Sequence, residues 1–374
     1  MAAPISTPPL WRRADLEADR SWVRRLDDAA ADGLRSAIEH ARGTGKSLLQ
    51  MDRTDFPIPT SVQDVLRWVV IQTQHGYGVA LVRGLPTSDL TEDEARLLFW
   101  GLGLHLGVAR PQGKRSQFMS DVRAEGGEYR SPTGRGYNTN ASLDFHSDAS
   151  DIVALLCRHD AKSGGESLIT SSFVAHNEML SERPDLVDVL YEPFVYSRQG
   201  EQAAEEAPHY QMPIFGERDC RFACRHVRNH ITGAQVAFPD VPRLTPRQIE
   251  ALDVFDSILA RPELSYRMFL EPGDIQFLNN YVVLHSRTSF EDHPEPDRRR
   301  HLLRLWLAIP EAQMLPLSFK AFYKDVESAA VRGGHRGQGI TPAIEAYERR
   351  LADDHGMAMR VYEDRGPSSR EGAR

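Results

Sequence analysis

A series of short apolar runs separated by turns constrains this chain more than any other feature. Val79–Val82, Ile152–Leu156, Ser167–Thr170, Ile275–Leu278, Val282–His285 and Leu302–Ile309 each read as a buried strand, too short for an ordinary helix. Gly84-Leu85-Pro86, Ser163-Gly164-Gly165 and Pro272-Gly273-Asp274 supply turns around them. Helical patterns lie between the strands. Val62, Val65, Leu66, Val69 and Val70 recur at helical spacing before Gly76. Thr91 to Glu94 is a capping box, and Leu97, Leu98 and Leu102 continue its helix. Residues 173–192 read as helix, and Thr245-Pro246 opens an amphipathic helix that runs to Leu259. Many short strands with helices inserted between them predict a jelly roll or barrel.

The 374 residues are enough to bury a large core. Residues 1–58 mix prolines with charged helical stretches and read as an N-terminal arm packing on that core. Residues 59–315 hold the strand pattern. Within them, 108–140 is polar and rich in Gly, Ser and Arg, which predicts a loop or lid. Residues 316–365 read as a C-terminal helical extension, with 333–339 a flexible connection to a helix near 341–354, and 366–374 as a disordered tail. Asp and Glu outnumber Lys and Arg by 53 to 45, giving a net charge of −8. That argues against a nucleic-acid partner, while leaving room for a local basic pocket. Cys157, Cys220 and Cys224 are too few for a disulfide framework. No run approaches the ~20 apolar residues of a membrane span, and the first residues hold no apolar stretch long enough for a signal peptide. The expectation is a cytoplasmic protein with a small-molecule substrate and no nucleic-acid or membrane partner. A homo-oligomer stays open.

The chemistry concentrates in Leu143-Asp144-Phe145-His146-Ser147-Asp148. On a strand His146 and Asp148 share a face, and imidazole with carboxylate suits a borderline divalent metal. His285, ending an apolar strand, is the best third ligand; alone it reads equally well as a capped surface histidine. Arg304 is a lone cation inside Leu302-Leu303-Arg304-Leu305-Trp306-Leu307, which is costly unless a protein or ligand carboxylate pairs it. Tyr137-Asn138-Thr139-Asn140 and the neighbouring Leu143 are candidate substrate contacts, or ordinary turn residues. Arg287 shares a face with His285 and is read as a substrate anchor or the partner of an acidic neighbour. Cys220, Cys224, His226 and His230 invite a zinc reading, but Arg221–His226 reads as a strand, which spreads the ligands apart. Gly333–Gly339 lacks the lysine and hydroxyl of a phosphate loop.

Taken in order, Phe145-His146-Ser147-Asp148, Lys162 to Leu168, Pro272-Gly273-Asp274, Asn280 to Arg287 and Arg299 to Leu307 resemble the iron(II)- and 2-oxoglutarate-dependent dioxygenases of the TauD/TfdA family. The resemblance runs from about residue 60 to 315. It implies an α+β chain with a mainly β core, a clavaminate synthase-like double-stranded β-helix, or jelly roll, flanked by helices. It implies that His146, Asp148 and His285 hold iron(II). Arg304 would clamp the distal carboxylate of 2-oxoglutarate with help from Ser167, where the family usually has threonine. Arg300 is the substitute clamp if the register slips, and Asn280 would lie near the same site. The implied reaction consumes dioxygen, converts 2-oxoglutarate to succinate and carbon dioxide, and hydroxylates an unactivated C–H bond of a small polar metabolite. Related halogenases replace the carboxylate ligand with a small residue; Asp148 therefore favours hydroxylation, with desaturation or cyclisation open. The rivals are a metal-dependent jelly-roll enzyme that does not use 2-oxoglutarate, in which Arg304 faces a protein carboxylate, and a non-catalytic binding protein of the same fold.

Overall fold

Alternation along one strand shows how the interior divides. In the computed structural model, which describes residues 3–6, 10–127, 129 and 136–362, the run His301–Ala308 is a strand. Its Leu303, Leu305 and Leu307 pack into one apolar cluster, and its Leu302 and Trp306 into another. Successive side chains of a strand point to opposite faces, so both faces of this sheet are buried.

The strands of the two principal sheets are β1 (Val23–Arg25), β2 (Val79–Arg83), β3 (Val108–Ala109), β4 (Met119–Val122), β5 (Ile152–His159), β6 (Ser167–Ser171), β7 (Tyr266–Met268), β8 (Ile275–Asn279), β9 (Val283–Arg287) and β10 (His301–Ala308). The larger sheet has the order β1-β2-β8-β5-β10-β3, with β4 also paired to β10. Only its β1–β2 pair is parallel. The smaller sheet is β7-β6-β9, all antiparallel. One face of the larger sheet packs on the helices Asp28–Gly43, Thr60–His75, Glu92–Leu106 and Pro342–Asp354, through Leu34, Leu66, Leu98 and Leu351. The other face shares a core with the smaller sheet and the helices Ser172–Glu182 and Pro246–Leu259. This is the jelly-roll architecture expected, with helices outside the barrel.

Three sequence expectations are corrected. The helix read over 173–192 ends at Glu182; Pro184 cannot continue it and opens a separate short helix, Pro184–Val187. The polar stretch 108–140 is not wholly a loop. β3 and β4 lie within it and pair with β10, while Arg110, Gln112, Ser116 and Ser120 are buried. Residues 333–339 are no flexible connection. Gly334 N–H donates to the Ala149 carbonyl at 2.6 Å, His335 N–H to Pro111 at 2.8 Å and Gln338 N–H to Lys114 at 2.9 Å. At Gly333 (φ 70°) a Cβ would meet the Ala149 carbonyl oxygen at 2.4 Å, and at Gly337 (φ 60°) the Gly113 carbonyl at 2.6 Å. The glycines are there because two backbones touch. The tail expected over 366–374 lies outside the described residues.

Candidate metal centre

His146 and His285 meet because their segments pair as backbone. The His146 N–H donates to the His285 carbonyl at 2.9 Å, and the His285 N–H to the His146 carbonyl at 2.8 Å. The strand predicted around His146 is otherwise absent. The segment makes single bridges, to His285 and to Val227, because Ser147 N–H turns away to the His226 carbonyl. The two imidazole centroids are 4.3 Å apart. His146 Nδ1 lies 2.9 Å from the Asp144 carbonyl, which places its proton there and leaves Nε2 as a ligand. His285 Nε2 lies 3.9 Å from Asp148 Oδ2. Ligand atoms of His146, Asp148 and His285 all fall within 4.8 Å of one another.

The protonation states suit a cation. Burial lowers both histidine pKa values, that of His285 to about 3. Burial opposes ionisation of Asp148, but the charges of Arg304, His285 and His146 and a hydrogen bond from Trp306 outweigh it and draw the carboxyl to about 2. Two neutral imidazoles and an ionised carboxylate on one cavity wall are a donor set that fits iron(II) with coordination positions left open. Among the described residues one other cluster has comparable donors, Glu92, Asp121 and His301, but Arg96 and Arg158 already bind it. Cys220 is exposed, Cys224 is buried and His226 bonds Asp256 at 2.7 Å, so the cysteine–histidine segment gathers no metal ligands.

The remaining predicted residues separate. Arg304 donates from Nε to Gln112 Oε1 at 2.8 Å and from Nη1 to Asp148 Oδ1 at 3.3 Å, so it sits beside the candidate ligand carboxylate. Arg300 lies elsewhere on the cavity wall with Arg287, both guanidiniums over the Phe290 ring at 5.0 and 4.8 Å. Arg287 stands opposite Ser167 in the β6–β9 register. Arg287 Nη2 donates to the Thr139 carbonyl at 2.8 Å, while Arg287 Nε and Nη1 and Arg300 Nη1 are buried without a partner among the described residues. Burial, then the charge of Arg300, draws Arg287 down to about 9. Ser167 Oγ donates to Gln276 at 3.0 Å and also lines the cavity. Leu143 lines it too, but Asn138 and Asn140 do not, and Asn140 is exposed. Asn280 is likewise absent from the cavity wall. Its Oδ1 accepts from the Asp148 N–H at 2.9 Å and its Nδ2 donates to Ser150, so it braces the ligand segment from behind.

The sequence model of the taurine catabolism dioxygenase TauD, TfdA family matches residues 39–306. The chain belongs to this family. It is therefore an iron(II)- and 2-oxoglutarate-dependent oxygenase that uses dioxygen. It is 35% identical over 335 residues to FR-33289 synthase of Streptomyces rubellomurinus, covering 87% of this chain and 97% of that one. It is 27% identical over 319 residues to the taurine hydroxylase-like protein SAT17 of Stachybotrys chartarum, covering 82% and 80%. Its fold is similar to that of an asparagine oxygenase solved with iron(II), a hydroxyasparagine and succinate, at TM-score 0.57 and 19% identity, covering 77% of this chain and 93% of the other.

Several cavity residues escaped the sequence reading. Trp306 follows Arg304 by two positions, so strand alternation alone puts both on one face. His335 reaches the cavity from the glycine-rich strap, beyond the span that the TauD, TfdA model matches. Its signal was the repeated glycine, which marks close backbone approach rather than slack. Arg225 gave no signal beyond its charge.

Proposed function

We propose that the cavity has two ends, one for 2-oxoglutarate and one for an acidic substrate. The observation that carries this is the set of three buried guanidinium nitrogens, on Arg287 and Arg300 beside Ser167, that have no partner among the described residues. A buried unpaired cation is costly, and a carboxylate answers it with charge-assisted hydrogen bonds. Arg300, Arg287 and Ser167 thus receive the distal carboxylate of 2-oxoglutarate, and Leu155, Leu270 and Leu302 line its carbon chain. His146, Asp148 and His285 hold iron(II). When bound, the metal supplies the oxidative chemistry that turns 2-oxoglutarate into succinate and carbon dioxide and a substrate C–H into C–OH.

Arg304 does face a protein carboxylate, as the rival without 2-oxoglutarate requires. That carboxylate is the metal ligand itself, however, and a bound cation would weaken Arg304's hold on it. Arg304 is then available to the substrate. Arg225 points the same way: it is 1% exposed and lines the cavity, with no carboxylate within 4 Å among the described residues. Its Nη1 donates to the carbonyl and hydroxyl of Ser147, and its Nε has no acceptor. Two guanidiniums on the substrate side favour a small acid. Glu201 and His335, 3.6 Å apart on the same wall, favour one that also carries an amine or hydroxyl. One relative is named for taurine, an aminosulfonate.

The test is substrate-stimulated succinate formation across amino acids, aminosulfonates, phosphorylated metabolites and neutral analogues. Acids should stimulate turnover, and Arg225→Met and Arg304→Gln should each raise KM for the acid. Equal stimulation by neutral analogues would overturn the substrate reading.

A further inference from the structure

We propose that Trp306 is a positioning residue for the metal, its indole N–H fixing the Asp148 carboxylate in the orientation that binds the ion. Trp306 is 4% exposed on the cavity wall, and its Nε1 donates to Asp148 Oδ2 at 2.9 Å. A buried indole N–H normally finds an acceptor, and the strand offers it none on this face: around Trp306, β10 uses its backbone groups in pairing with β5 and with Arg110 beside β3. The acceptor it has found is the one acidic ligand of the site.

The ring itself cannot easily turn away. Its face carries the Arg304 guanidinium at 4.8 Å from the centroid, and His335 packs against it at 5.6 Å. Leu305 and Leu307, on the opposite face of the strand, are fully buried among the helices and hold the backbone in place. Asp148 is meanwhile tied by its own N–H to Asn280 at 2.9 Å, so what remains free in it is rotation of the carboxylate group. The indole bond removes that freedom.

Two donors reach this carboxylate, and they differ in kind. Arg304 brings a positive charge, at 3.3 and 3.4 Å from the two oxygens, which repels an incoming cation. Trp306 brings a neutral dipole, which orients the ligand without competing for it. Partners of this sort behind a ligand are worth about 10–100-fold in metal affinity. The two residues should therefore act with opposite sign on metal binding, although they are neighbours on one strand face. A tryptophan that merely fills the core would produce no such contrast.

The inference rests on the three-residue metal site, so that site is checked separately: His146→Ala should abolish binding of cobalt(II) and iron(II) measured by anaerobic titration calorimetry. Given that result, Trp306→Phe should weaken the Kd for either ion by about 10–100-fold. It should also move the visible absorption band of the iron(II)–2-oxoglutarate complex. Trp306→His, which retains a ring N–H, should recover most of the affinity. Arg304→Gln should bind the ion as tightly as the unmodified protein or more so. Circular dichroism and thermal melts confirm that each variant is folded. A folded Trp306→Phe with unchanged Kd and an unmoved band overturns the proposal, as does a Trp306→His that loses as much affinity as Trp306→Phe. If Trp306→Phe does not fold, Trp306→His decides alone: near-native Kd supports the N–H role and a large loss overturns it.

Discussion

Two clusters of histidine and carboxylate side chains lie in different parts of the fold, one against β9 of the smaller sheet and one on β4 and β10 of the larger. His146, Asp148 and His285 form one; Glu92, Asp121 and His301 form the other, and in both the ligand-type atoms lie within 4.8 Å. Their surroundings differ. In the second, Arg96 reaches Glu92 at 2.8 Å and Asp121, Arg158 reaches Glu92 at 3.3 Å, and His301 Nε2 bonds Asp121 at 2.7 Å. Each carboxylate there is already neutralised, so the cluster is a closed ionic network. In the first, two neutral imidazoles face one carboxylate, and nearby lie guanidiniums whose nitrogens have no acceptor. Donor type alone does not make a binding site; unsatisfied donors and charges do.

The largest effect that could break this contrast is metal loss. His146→Ala and His285→Ala should each abolish iron binding and push turnover below detection. His301→Ala should still bind one ion per chain by metal analysis. An ion lost from the His301 variant would mean that the second cluster is the metal site.

The next test concerns the cations. Arg300→Gln should raise KM for 2-oxoglutarate by about 10–100-fold, the worth of a charged hydrogen bond, without lowering the Tm of the metal-free protein. Arg96→Gln should do the reverse, lowering Tm and leaving that KM within about twofold, since an exposed or satisfied network contributes to stability and not to ligand binding. Should Arg304→Gln, and not Arg300→Gln, carry the effect on 2-oxoglutarate, the clamp lies where the family resemblance implies.

The smallest effect sharpens the picture of the closed network. Burial opposes ionisation of Asp121, but its hydrogen bond with His301 and the charges of Arg96, His301 and Arg123 draw it from 3.8 to about 2. A carboxyl depressed in the folded state contributes stability above its ordinary value, and that contribution is lost as the pH falls through about 2. Asp121→Asn should therefore cost about 1–2 kcal/mol near neutral pH, with the gap from the unmodified protein narrowing between pH 4 and pH 2 in urea titrations. A constant gap would mean that Asp121 acts through packing instead.

Much of the architecture is legible in the sequence. The short apolar runs at 79–82, 152–156, 275–278 and 302–309 are strands of one sheet, and Thr91 caps the helix Glu92–Leu106 as its capping box predicts. His146, Asp148 and His285 were singled out from residue type, local pattern and resemblance, and they converge. The misplaced readings share a cause. Asn280 looks like a site residue because it is polar beside a ligand strand, yet its amide faces inward to hold Asp148 and Ser150. The strap at 333–339 looks slack because it is glycine-rich, yet the glycines permit contact.

Local order in the sequence therefore determined which residues form strands, which faces they bury and which donor types stand at the strand ends, because alternation and capping act over a few residues. Only the tertiary structure decided which charges remain unanswered. Arg300, Arg304 and Arg158 carry the same charge, and the sequence does not say what answers it in each. One keeps a buried nitrogen without a partner among the described residues, one leans on the Asp148 carboxylate, and one is held by Glu92. Electrostatic satisfaction depends on distances between segments remote in the chain, and those exist only once the chain has folded.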